Sequence, residues 1–197
     1  MSQTKGEELY SKIEELFEKY LQEDSVEKIF ALYHIIKYPY NAGWHVTWKF
    51  GSIKPLTQVI EDFKNAGISV EKLPYEVRSF IESLLNTRAL SLITKDALEL
   101  CKNADKRVKK TLSILSLILE RNGSIPDIEV MLLRTIYVTL TGDLIDDNSW
   151  RNHVIRMLGR MHLIDPATSG KIIWYPWAPY VLEAVKEHVP KIEISFE

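Results

Sequence analysis

Between residues 7 and 21 the side chains of Leu9, Ile13, Leu16, Phe17 and Tyr20 recur at helical spacing with glutamates between them. That period predicts an amphipathic helix, although nothing in the pattern says what its apolar face meets. Residues 25 to 37 predict a second helix, stopped in YPYNAG by Pro39 and Gly43. In WHVTWKF the period changes: Trp44, Val46, Trp48 and Phe50 alternate with His45, Thr47 and Lys49, as in a half-buried strand. Pro55 suits the first turn of a helix running to about Ala66, with Gly67 as its C-terminal cap. ISVEKL reads as a short strand after it.

Helical patterns resume over residues 75 to 86 and 89 to 104 and lead into the basic run DKRVKK. This run is the expected boundary between an N-terminal helical unit, 1–104, and a C-terminal unit, 105–197. LSILSLILE and IEVMLLRTIYVTL are apolar nearly all round, so both are expected at the centre of a core, joined by the turn NGSIPD. A further helix spans residues 149 to 161. ATSG then reads as a tight turn, KIIWY as a strand, and Pro179 as the start of a helix to about His188. KIEISF alternates again, with Ile192, Ile194 and Phe196 on one side, and offers KIIWY a partner. The fold class is therefore mainly α with small β elements.

Composition narrows the function classes. The 197 residues are 46% hydrophobic, enough for one good core or two small ones. The single cysteine, Cys101, excludes an intramolecular disulfide and a cysteine-built zinc site. The opening MSQTKGEELY lacks the apolar stretch of a signal peptide, and no run approaches the roughly 18 apolar residues of a membrane span. A soluble, cytoplasmic protein is the expectation. Lysine and glutamate are plentiful and glutamine scarce, a weak thermophilic signature. With a formal charge of -2, any nucleic-acid binding must come from a local patch.

Such a patch is present in SWRNHVIRMLGRMHLID, which has three arginines, two histidines and no acid before its last residue. On a helical wheel Trp150, Val154, Met157, Leu158 and Met161 fall in one arc, facing the core. Asn152, Arg156 and Gly159 lie opposite, flanked by His153 and Arg160. Arginine can bond guanine bidentately, asparagine can do so with adenine, and glycine permits close backbone approach in a major groove. Ser149 and Asn148 stand where a side chain caps the helix and amides can meet a phosphate. Asp143, Asp146 and Asp147 just before them oppose close docking at that end. A solvated face, or a surface for a protein partner, remains open beside the nucleic-acid reading.

From Thr111 to Trp177 the order is a long apolar helix, a second helix, a basic helix ending in HLID, then SGKIIWYP. This order resembles the winged helix-turn-helix superfamily, where the recognition helix often ends in a hydrophobic pair, as Leu163 and Ile164 do here. The resemblance covers about a third of the chain. It implies a winged-helix-like C-terminal unit that inserts residues 149 to 161 into the major groove of double-stranded DNA. One departure is the absence of a second wing strand directly after Trp177, where Pro179 starts a helix; residues 191 to 196 would have to supply it. PLTQVIEDFKNAGIS also overlays the basic helix, matching Val59, Ile60, Phe63 and Ile68 to Val154, Ile155, Leu158 and Leu163. Two winged-helix-like units in tandem would follow. The first would not read DNA, because its outer face carries Gln58, Glu61, Asp62 and Asn65, which repel phosphate.

The resulting site is Asn152, Arg156 and Arg160 on bases, with Ser149, Arg151, His153 and Lys171 beside them. Lys102, Lys106, Arg107, Lys109 and Lys110 would add phosphate contacts, unless they only solvate a linker helix. WYPWAPY is expected to pack the wing, Pro176 keeping that strand at an edge. Alternatively Trp174, Tyr175 and Trp177, or the N-terminal helix, form a homodimer interface. Exposed rings there could also stack on bases. Catalysis is not expected: phosphate-loop, nucleophile-elbow and H-E-x-x-H signatures are all missing. His153 and His162 are nine apart and point to different faces of a helix. Asp143, Asp146 and Asp147 read as a turn and cap rather than a magnesium site, and Cys101 as a buried hydrophobe beside Leu90, Ile93 and Ala97. No cofactor or metal is expected. The combined expectation is a DNA-binding transcriptional regulator, with a non-catalytic protein-interaction module of the same fold as the alternative.

Overall fold

The computed structural model describes residues 3–165 and 170–192. It is mainly helical with a two-stranded antiparallel sheet, and the chain divides into two compact units, Met1–Leu92 and Ile93–Glu197.

In the first unit α1 (Gln3–Gln22), α2 (Val26–Lys37), α3 (Ala42–Phe50), α4 (Lys54–Asn65) and α5 (Glu76–Arg88) follow one another. The central element is α2, whose residues Ile29 to Ile36 are all buried, and it packs against α1, α3, α4 and α5. Ser25 starts it, its hydroxyl accepting the Lys28 amide at 3.3 Å. The apolar face of α1 now has its partners, α2 and α5. Ile13, Phe17 and Tyr20 are buried, and Arg88 on α5 bridges Glu14 and Glu18 across the rim. Tyr20 donates to Asp62 on α4 at 2.6 Å, so burial and that carboxylate push its phenol pKa up.

Two strands expected in this unit are absent. WHVTWKF is helical, forming α3, and its buried positions are Ala42, His45, Val46 and Lys49. Their three- and four-residue spacing is that of a helix. The alternation misled because two polar residues occupy the inner face: His45 stacks on Tyr38 with ring centroids 4.3 Å apart, and the Lys49 ammonium lies 4.1 Å from the centre of Phe30. Trp44, assigned to the core by alternation, is 47% exposed. ISVEKL forms no strand either; Val70–Lys72 is a single 3-10 turn.

The second unit begins within α6 (Leu90–Lys102), which leads into α7 (Lys106–Asn122) and α8 (Val130–Thr141). Asp105 caps α7 by accepting the amides of Arg107 and Val108. The all-round apolar reading of residues 112–120 holds for 112–115 of α7, which are buried, while 116–119 are half-buried and Glu120 is exposed. The expectation fails for α8: Leu133 and Tyr137 are buried, but Met131 and Leu132 face solvent. The basic segment then forms an α-turn, α9 (Asp147–Ser149), a π-helical stretch Trp150–Ile155, and α10 (Arg156–Arg160). Next come β1 (Ile164–Asp165), β2 (Ile173–Trp174), α11 (Ala178–Val185) and a 3-10 turn, Lys186–His188.

The strand β2 pairs with β1, in the register Ile164 to Trp174 and Asp165 to Ile173. On the other side Lys171 bridges Glu129, with the Val130 amide on the Gly170 carbonyl at 2.8 Å and the Ile172 amide on that of Ile128 at 3.0 Å. KIIWY is thus the second strand of its hairpin and not the first, and its described partners lie upstream of it. Of the two remaining sequence expectations here, the ATSG turn and the pairing of KIEISF fall on 166–169 and 193–197, outside the described residues.

The overlay of α4 on the basic helix extends to the backbone of the helix end. Gly67 and His162 both take left-handed φ, 70° and 64°. The Ile68 amide bonds the Phe63 carbonyl and the Leu163 amide that of Leu158; Gly67 likewise bonds Lys64, and His162 bonds Gly159. The same cap closes both helices. Glycine reaches this conformation without a Cβ penalty, whereas His162 is held there by burial and by the 2.6 Å contact of its Nε2 with Asp96.

Candidate nucleic-acid interface

The basic helix is positioned by its apolar face. Trp150, Val154, Ile155 and Leu158 are buried, and the Trp150 indole donates to the Val130 carbonyl at 3.0 Å. The wheel drawn from the sequence holds for the first turns and then drifts. Gly159, placed outside by the wheel, is buried; Met157, placed inside, is half-buried. The π-helical stretch explains this, because one additional residue in a turn rotates all that follows by about 100°. Close backbone approach of a groove at Gly159 is therefore excluded by its burial.

Asn152 and Arg160 are exposed and Arg156 is half-buried, at four-residue intervals along this segment. Arg151 and His153 flank Asn152 and are exposed. Part of this polar surface is engaged locally. Arg151 pairs with Asp147 at 2.9 Å, and the Asn152 amide donates to Asn148 at 2.7 Å. Ser149 gives its amide and its hydroxyl to Asp146, at 2.9 and 2.6 Å, which holds the Asp146 carboxyl below its ordinary pKa. The cap expected from Ser149 is thus made by Asp146, and the Ser149 donors are not open to phosphate. Lys171 is exposed next to Gly170 in the segment leading into β2.

The 102–110 cluster is less uniform than its sequence. The Arg107 guanidinium grips Asp143 through two nitrogens, at 2.9 and 3.0 Å, and Tyr137 donates to the same carboxylate at 2.6 Å. Arg107 first, then Tyr137, hold the Asp143 carboxyl at about 2, while burial and Asp143 raise the Tyr137 phenol to about 12. Lys102 pairs with Glu99, and the Lys109 ammonium reaches the Lys102 carbonyl at 3.3 Å. Lys106 is exposed and Lys110 half-buried. The acidic turn is accordingly a set of caps and ion pairs, and Asp143 is its anchor. A carboxyl depressed from about 3.9 to about 2 lends stability that is complete above about pH 4 and is lost as pH falls toward 2. Acid titration of the folding free energy should show this loss in the wild type, and Asp143→Asn should remove it.

In the aromatic segment Tyr175 and Trp177 are buried and stacked at 4.7 Å, with the Trp177 indole on the His162 carbonyl at 2.9 Å. Trp174 is half-buried and donates to the Pro126 carbonyl at 3.2 Å. Tyr175 and Trp177 therefore present no open ring to a base or a partner. Of the two histidines, His153 is exposed and His162 fully buried. Cys101 is buried with Ile93 and Ala97, and burial raises its thiol pKa. Iodoacetamide at neutral pH should leave it unmodified in the native protein and alkylate it once the chain is unfolded; rapid native alkylation would show an open thiol.

Among the described residues, no helix is long and apolar enough to cross a membrane. Comparison with protein-family models, with curated proteins and with solved structures found no match.

Proposed function

We propose that the Ile93–Glu197 unit is a winged helix-turn-helix module that binds duplex DNA, and that the protein acts as a transcriptional regulator or similar nucleoprotein component. The observation that carries this is the outward placement of Asn152 and Arg160, with Arg156 half-buried between them, on a helical segment that precedes the β1–β2 hairpin. The order of α7, the Glu129 bridge, α8, the basic helix and the hairpin supports the reading. In it the basic helix enters the major groove through its middle and C-terminal turns. Arg160 and Arg156 face base edges and Asn152 adds an amide, while Lys171 meets the backbone from the hairpin. The first unit, with Glu61 and its neighbours on the outer face of α4, serves as a second helix-turn-helix copy that does not touch phosphate.

Binding of random-sequence duplex DNA across a salt series tests this. The wild type should lose affinity steeply with salt, and Arg156→Ala/Arg160→Ala should flatten the logarithmic slope by about two. No binding by either protein at low salt would overturn the proposal. The alternative, a protein-docking module, is favoured by Leu144, which is 80% exposed beside Arg134 and Val138.

A further inference from the structure

We propose that a cleft in the first unit, between the α2–α3 turn and the first turns of α5, binds a nucleotide through both its base and its phosphate. The cleft measures about 480 Å³, within the range of small-molecule sites. Its walls include Lys37, Tyr38, Tyr40, Tyr75, Arg78 and Glu82. It belongs to the first unit and the basic helix to the second, and the inference does not depend on the duplex-binding reading.

Two rings at this cleft are left in water. Tyr40 is 97% exposed and Tyr75 72% exposed, and each follows a proline, Pro39 and Pro74, that stiffens the chain carrying it. A single exposed tyrosine needs no explanation, but two at the edge of one cleft offer ring faces for stacking. Cations stand beside them. The Arg78 guanidinium lies 5.0 Å from the centre of the Tyr75 ring, which preorganises it. The Lys37 ammonium is held by the Tyr33 hydroxyl at 2.6 Å and by Glu82 at 3.2 Å, and lies 5.6 Å from the Tyr38 ring.

The combination selects a chemistry. Tyrosine faces accept any flat heteroaromatic ring, and arginine takes a phosphate through two parallel hydrogen bonds. Glu82 can only accept while ionised, so it rejects a second anion beside Lys37 and suits an exocyclic amine or a sugar hydroxyl. An acidic peptide would meet Glu82 unfavourably, and an apolar ligand would make no use of the exposed Arg78. Bases inside a duplex keep their faces stacked, so the ligand is an unpaired nucleotide, either free or in a single strand.

The test is equilibrium binding of a fluorescein-labelled single strand of about ten nucleotides, a length within the span of known single-strand sites, followed by competition with AMP and CMP. Tyr40→Ala and Tyr75→Ala should each weaken binding by about fivefold or more, and Tyr40→Phe and Tyr75→Phe should retain it, because the face and not the hydroxyl does the stacking. Arg78→Ala should weaken binding and lower its salt dependence by about one charge. Arg156→Ala/Arg160→Ala should leave it unchanged, which separates this site from the basic helix. Competition by a mononucleotide assigns a free nucleotide; strand binding without such competition assigns a single strand. The proposal is overturned if neither ligand binds at low salt, or if the tyrosine-to-alanine variants bind as the wild type does.

Discussion

Trp150→Ala should cost about 3–5 kcal/mol of folding free energy, the range for removing a large buried aromatic. Trp150 is fully buried, its ring centroid 5.3 Å from that of Tyr137, and its indole satisfies the Val130 carbonyl. Alanine leaves a cavity under the basic helix and removes the indole hydrogen bond to the residue where α8 begins. The Val130 amide bonds the Gly170 carbonyl ahead of β2, so this residue ties α8, the basic helix and the hairpin segment together. Trp150→Phe keeps most of the packing and loses only the hydrogen bond, for an expected cost of about 1–3 kcal/mol. Denaturant titration of both variants checks the order. Equal midpoints for Trp150→Ala and the wild type would mean that this side chain does not anchor the helix.

The second large effect concerns two positions that the sequence overlay treats as equivalent. Ile155→Ala should cost about 2–5 kcal/mol, whereas Ile60→Ala should stay within about 0.5 kcal/mol. Ile155 is buried and Ile60 is 46% exposed. The difference follows from helix geometry: α4 is regular and buries Leu56, Val59 and Phe63, while the π-helical stretch turns Ile155 inward. Phe63→Ala belongs with the costly group, at about 3–5 kcal/mol, since Phe63 is buried. Matched losses at Ile60 and Ile155 would show that the two helices present the same face. Unmatched losses, with the shared caps at Gly67 and His162, would show related helix ends on different surfaces.

Where one period dominated, local chemistry was legible. Helices α1, α2 and α4 to α6 have apolar residues at helical spacing, and the punctuation of α4 is local: Pro55 at its start and Gly67 after it. Such signals need only neighbours in sequence, because a cap or an apolar stripe acts within a turn or two. The basic character of residues 149 to 161 and the inward side of Trp150, Val154 and Leu158 were likewise legible.

The remainder required contacts between residues distant in the chain. His45 and Lys49 lie on the buried side of α3 because Tyr38 and Phe30 meet them there, and a hydropathy pattern scores both as outward. The β1 and β2 strands are two residues each, too short for a period, and exist through pairing with each other and through Glu129. Arg107 was legible as a cation, but its grip on Asp143 spans 36 positions and turns an apparent phosphate contact into an internal tie. By itself the sequence determined most of the helical segments, though not α3, where most of them stop and which helix is basic, since these depend on propensity and periodicity along one chain. Only the tertiary structure decided which polar groups are spent internally, how the π-helical stretch rotates the basic face, and that Tyr40, Tyr75 and Arg78 share one cleft, because each depends on atoms that folding alone brings within a few ångströms.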